Sequence, residues 1–196
     1  SHSAASPAIN SLRDEVLQDC LSAANVPPGL FTLTAPTGLG KTLSMLAFAL
    51  RHAEYNHLRR IFIVLPYLTI LEQNADEYRK IEPALLEDHS QTNLSDEQRL
   101  LAERYAAPVI ITTSVKFFES LFPCRATDCR KLHNISGSVI LFDEAQSLPS
   151  DLTSTTLETM RQLCARYGCS VVFSTATQPS FARRPDVVWE PKEIIC

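Results

Sequence analysis

Residues 30–42 read Leu-Phe-Thr-Leu-Thr-Ala-Pro-Thr-Gly-Leu-Gly-Lys-Thr. Leu30 to Thr34 has the composition of a short buried strand, and Lys41 to His52 has the periodicity of a helix. Between them, Ala35, Pro36, Thr37, Gly38, Leu39, Gly40, Lys41 and Thr42 fit a phosphate-cradling loop, with Ala35 where the first glycine usually stands. The chain has only five glycines, yet Gly38 and Gly40 fall within three residues. Such a loop needs glycine because its backbone turns sharply and aims successive N–H groups at phosphate oxygens. The pattern predicts that Lys41 reaches the β- and γ-phosphates of ATP and that the Thr42 hydroxyl ligates Mg²⁺.

Outward from this loop the chain alternates strands and helices. Residues 9–24 read as a helix, broken by Pro27-Pro28-Gly29. Arg60 to Leu65 is apolar on both faces, as a buried parallel strand is. Helical patterns cover 69–81 and 96–106, the second opened by a capping box of Ser95 and Gln98. Strands at Pro108–Thr112, Ser138–Phe142 and Cys169–Ser174 alternate with helices at 114–122 and 151–166, and Val187–Trp189 adds a last strand. The expected fold is α/β, a parallel sheet flanked by helices on both faces. Ligands of such sheets sit beyond the carboxyl ends of the strands, and here each main strand ends in a specific polar sequence.

One of those ends is acidic. Val139-Ile-Leu-Phe runs into Asp143-Glu144, where a phosphate loop needs a carboxylate to hold Mg²⁺. Asp143 is expected in the metal shell, and Glu144 orients or deprotonates the attacking water. The chemistry is nucleoside triphosphate hydrolysis.

Composition sets the frame. The 196 residues (21.8 kDa) suit one domain, at most two, and no apolar run approaches a membrane span. A net charge of −4 argues against a strongly basic nucleic-acid wrapper and leaves local backbone contacts open. The six cysteines read as reduced, partly buried thiols in a cytoplasmic protein. The five histidines (His2, His52, His57, His89, His133) read as exposed helix or loop positions, without a metal cluster. The Ser-His-Ser start suggests that 1–8 is a tag remnant and 9–196 an excised fragment.

Asp143-Glu144-Ala145-Gln146 together with Ser174-Thr175-Ala176-Thr177 resembles superfamily 2 helicases, whose first RecA-like lobe carries motifs I to III in this order. Motif I is 35–42, Ia resembles 65–73, Ib 111–114, II is 143–146 and III is 174–177. The Gln of this motif II departs from the DEAD-box RNA-helicase pattern. The stretches around 34–53, 61–75, 86–90, 129–135, 138–149 and 174–181 are similar to the prokaryotic CRISPR-associated helicase-nucleases of type I interference systems. That resemblance implies an ATP-driven translocase on single-stranded DNA, monomeric, working with a CRISPR surveillance complex in antiviral defence. It assigns Gln146 and 174–177 to coupling nucleotide state to domain closure, and Pro66, Tyr67, Thr112, Thr113 and Ser114 to the DNA backbone. Each of those Thr and Ser residues equally suits a helix cap. On the first helix lie Asn10, Arg13 and Gln18; Gln18 either reads adenine or faces solvent. The Thr127–Asn134 segment reads as a solvated connector or a DNA contact. The family's HD nuclease and second RecA-like lobe are not recognisable here, so the fragment is expected to bind ATP weakly, to hydrolyse it slowly if at all and not to unwind DNA alone. The alternatives are a nucleotide-binding docking module without catalysis, or a superfamily 2 lobe of another branch.

Overall fold

The computed structural model describes residues 7–36, 38–89, 95–122, 129–148, 153–176 and 190–194. Among these, the strands are β1 (Leu30–Thr34), β2 (Arg60–Leu65), β3 (Leu86–Asp88), β4 (Val109–Thr113), β5 (Ser138–Phe142), β6 (Ser170–Thr175) and β7 (Lys192–Glu193). They form one sheet in the order β3-β4-β2-β5-β6-β1-β7, parallel at every pairing. Parallel neighbours require crossovers, and helices supply them. These are α1 (Pro7–Ala23), α2 (Lys41–Asn56), α3 (Leu68–Arg79), α4 (Asp96–Arg104), α5 (Ser114–Leu121), α6 (Cys129–Ile135) and α7 (Thr153–Tyr167). None of them is long and apolar enough to cross a membrane.

Alternation along β2 shows why the inner strands are apolar on both faces. Ile61, Ile63 and Leu65 enter one core with Cys20 of α1, Phe48 of α2 and Leu71 of α3. Phe62 and Val64 enter the other, with Phe117 of α5, Ile135 of α6 and Leu157 of α7. The second core is rich in rings: Phe62 meets Tyr105 edge-on, and Phe142 stacks on Phe173 at 5.2 Å. Helix α4 starts where the sequence predicts, with Ser95 and Gln98 exchanging both capping-box bonds.

Several features differ from expectation. The 127–134 segment is not a solvated connector where it is described: Cys129–Ile135 is helix α6, anchored by buried Ile135. Its Lys131 ammonium lies 2.9 Å from the Asp88 carboxylate and 4.1 Å from the centre of the Tyr105 ring. Strands β3 and β7 are additional edge strands, and Val187–Trp189 lies outside the described residues. Two histidines are buried rather than exposed. His52 is fully enclosed between the Ala24 carbonyl (2.8 Å) and the Ser170 hydroxyl (2.7 Å), and the His89 side chain sits 3.2 Å from Glu87. Cys20, Cys164 and Cys169 are free thiols, and burial pushes Cys20 and Cys164 up to about 12.

Candidate nucleotide-binding site

The parallel sheet brings the carboxyl ends of β1, β5 and β6 together. Thr34 pairs with Thr175 and Phe142 with Phe173, so the next residues, Ala35, Asp143 and Ser174, fall at one edge. The Ala35 N–H donates to the Thr175 carbonyl at 3.2 Å, fastening the loop's first residue to the end of β6. Gly38 (φ +85°) and Gly40 (φ +74°) both adopt the left-handed conformation, which an L side chain would strain. Gly40 is the N-cap of α2 and offers no side chain, and the first turn of α2 holds no acid. The helix therefore presents unsatisfied N–H groups and a positive dipole end, a ready anion site.

Lys41 is only 7% exposed, and its Nζ has no hydrogen-bond partner. Asp143, at the end of β5, is 6% exposed; its N–H donates to the Val64 carbonyl and its Oδ1 accepts from the Glu144 N–H at 3.0 Å. Burial, foremost, holds the Asp143 carboxyl above the ordinary range, with help from the Glu144 charge and against the Ser174 hydroxyl, the Glu144 N–H and the pull of Lys41. Glu144 adopts φ +52°, a strained conformation for a non-glycine residue. Exposed Gln146 donates its amide to the Glu144 carboxylate.

Gly38, Gly40, Lys41, Thr42, Asp143 and Glu144 line one cavity of about 600 Å³, a size suited to a small ligand such as a nucleotide. An orphaned buried ammonium, a glycine-built helix start and two carboxylates in one cavity fit a triphosphate with a hard divalent cation. Lys41 and the α2 N-terminus would hold the phosphates, and Thr42 and Asp143 the cation. Pro36 and Leu39 complete the described loop; Thr37 lies outside the described residues.

The other candidates separate. Ser174 and Thr175 are buried beside the cavity-bearing edge, the Ser174 hydroxyl set toward the Asp143 carboxyl and the Thr175 hydroxyl without a hydrogen-bond partner, and Ala176 is half-buried; Thr177 lies outside the described residues. Gln18 is exposed on α1 and does not line the cavity; Arg13, from the same helix, does. Further along the edge, Val64 pairs with Thr112 and Leu65 with Thr113, so Pro66 and Ser114 emerge side by side. Tyr67 is exposed there, at 56%. Thr112 departs from its expected role: it is fully buried, and its hydroxyl donates to the Asp88 carbonyl at 2.8 Å. The Thr113 hydroxyl caps α5, accepting from the Lys116 N–H. The α3 residues Ile70, Asn74 and Glu77 also line the cavity, spaced as one helix face; that spacing was the signal available for them.

The family model for DEAD/DEAH box helicases matches residues 7–184. A CRISPR-associated nuclease/helicase Cas3 from Haloferax volcanii is 28% identical over 190 residues, covering 82% of this chain. The chain spans 20% of that relative's length. Among solved structures, ADP-bound Cas3 of T. fusca aligns with a TM-score of 0.66 at 19% identity, over 85% of this chain and 20% of that one. The Hef helicase domain of Pyrococcus furiosus aligns at 0.61, also at 19% identity, over 89% of this chain and 33% of that one. The sheet and helices described above are thus shared with RecA-like helicase domains.

Proposed function

Because this chain belongs to the DEAD/DEAH box helicase family, we propose that it is the first RecA-like lobe of an ATP-dependent translocase on single-stranded DNA that serves type I CRISPR antiviral defence. The single observation that carries the nucleotide reading is Lys41, a buried ammonium without a hydrogen-bond partner in the cavity it shares with Asp143. A buried ammonium without a hydrogen-bond partner is costly, and an anionic ligand reduces the cost.

In this reading Lys41 and the N-terminal turn of α2 bind the β- and γ-phosphates. Thr42 and Asp143 hold Mg²⁺, which when bound neutralises charge on the phosphates. Glu144 orients the attacking water and accepts its proton, while the Gln146 amide donates to the Glu144 carboxylate. The Ala35–Thr175 bond links the loop to the end of β6 and so supports a part for Ser174 and Thr175 in domain coupling. Pro66, Tyr67 and Ser114 touch the DNA sugar-phosphate track, and Thr113 does so only through its backbone, its hydroxyl being committed to α5. A second RecA-like lobe, an HD nuclease and the surveillance complex are the partners this reading requires. The isolated lobe binds nucleotide and turns it over slowly, since arginine fingers from a second lobe are worth about 10³- to 10⁵-fold in rate.

The test is ATP hydrolysis by a two-lobed protein containing this lobe, with single-stranded DNA or RNA added. The expected result is stimulation by DNA and a loss of at least about 100-fold in Glu144→Gln with nucleotide binding retained. Equal stimulation by RNA would contradict the DNA-translocase reading, and unchanged turnover in Glu144→Gln would contradict the assignment of the base.

A further inference from the structure

Helix α1 packs through Val16 and Cys20, and Ala24 just past its end continues the same stripe into the core shared with α2. The stripe's next position toward the N-terminus is Arg13, three residues before Val16. Its guanidinium donates twice to the Gly38 carbonyl, from Nε at 3.1 Å and Nη2 at 2.9 Å. Its stem runs past the second glycine: a Cβ on Gly40 would stand 3.7 Å from Arg13 Cγ. Arg13 thus spans both left-handed residues of the loop from outside it. The Gly38 carbonyl and the Leu39 N–H belong to one trans peptide group and point in opposite directions. Holding the carbonyl therefore fixes the direction of that N–H before any ligand arrives. A fork-shaped, always-charged donor is suited to this, and a lysine is not.

We propose that Arg13 is a positioning residue of the nucleotide site, acting through the Gly38–Leu39 peptide to preorganise the loop for phosphate. The proposal rests on the reading that residues 35–42 bind nucleotide. The experiment is calorimetric titration of the chain with Mg·ADP, comparing wild type, Arg13→Ala, Arg13→Lys and Lys41→Ala, with amide exchange at Leu39 and Gly40 measured in the free proteins. Wild type is expected to bind and Lys41→Ala not to. Arg13→Ala should bind about tenfold more weakly, exchange faster at Leu39 and keep its melting temperature within about 1 °C. Arg13→Lys should recover only part of the affinity; it also carries the comparison if the alanine variant melts early. Wild-type affinity in Arg13→Ala, with binding still lost in Lys41→Ala, overturns the proposal and spares the loop reading. Tighter binding in Arg13→Ala would make the arginine a plug, and full recovery in Arg13→Lys would reduce it to a charge; either overturns positioning. No binding by wild type overturns both readings.

Discussion

Lys41 and Asp143 are charged groups taken almost wholly out of water, at 7% and 6% exposure. A buried ammonium without a hydrogen-bond partner is costly to the free chain, and burial, foremost, raises the Asp143 carboxyl above its ordinary range. A carboxyl raised in the folded state costs stability as pH climbs above its ordinary value. Lys41→Met and Asp143→Asn are therefore expected to stabilise the ligand-free chain by about 1 kcal/mol each while abolishing nucleotide binding. Denaturant midpoints of the free variants check this. At this scale the loop was legible in the sequence, because Gly38, Gly40 and Lys41 each answer a need of the phosphate backbone. Arg13 was not, because nothing local distinguishes an arginine that reaches a carbonyl 25 residues away from one in solvent. Thr112 and Thr113 show the same limit. Adjacent in sequence, one is spent on the Asp88 carbonyl and the other on a helix cap.

Elements were legible where a run of residues carries one pattern. Arg60–Leu65 declares a central strand because both faces are buried, and Ser95 with Gln98 declares a helix start because each side chain satisfies the other's backbone N–H. Helix α4 buries only Ala102 of its nine residues, so its cap carries much of its order. Ser95→Ala should lower stability by about 1 kcal/mol and speed amide exchange within α4 before elsewhere. The missed elements are short and polar: β3 is Leu-Glu-Asp, β7 is Lys-Glu, and α6 is Cys-Arg-Lys-Leu-His-Asn-Ile. They exist through tertiary partners that no local period reveals. Asp88 of β3 and Lys131 of α6 pair at 2.9 Å with side chains 10% and 14% exposed. Removing the lysine takes the ion-pair partner from a buried carboxylate, so Lys131→Ala should cost about 3 kcal/mol, and Asp88→Asn in that background should return part of it. Urea unfolding of the single and double variants measures both.

Across the molecule, His52 ties three elements together. It stacks on Phe48 of its own helix and bonds both the Ala24 carbonyl beyond α1 and Ser170 of β6. Burial holds this imidazole below its ordinary 6.5, Lys192 of β7 adds to the effect, and the Ala24 bond opposes it. The folded state then refuses a proton that the unfolded chain accepts. Stability is full above about 6.5 and falls as pH drops from there toward the folded value, with a slope of at most about 1.4 kcal/mol per pH unit. His52→Gln should flatten the difference between melting temperatures at pH 7.5 and 5.5, whatever its effect on either one. Comparing the two differences tests the sign as well as the site.

The whole-molecule account is that a parallel sheet gathers strand ends into a nucleotide site held ready at a cost to the folded chain. The most direct test is the melting temperature of wild type and Lys41→Met, each with and without a saturating Mg·ATP analogue. Without ligand, Lys41→Met should melt about 3 °C higher. With ligand, only wild type should rise, because a ligand stabilises the state it binds. An equal rise in both proteins, no rise in wild type, or a lower ligand-free midpoint in Lys41→Met would contradict the account.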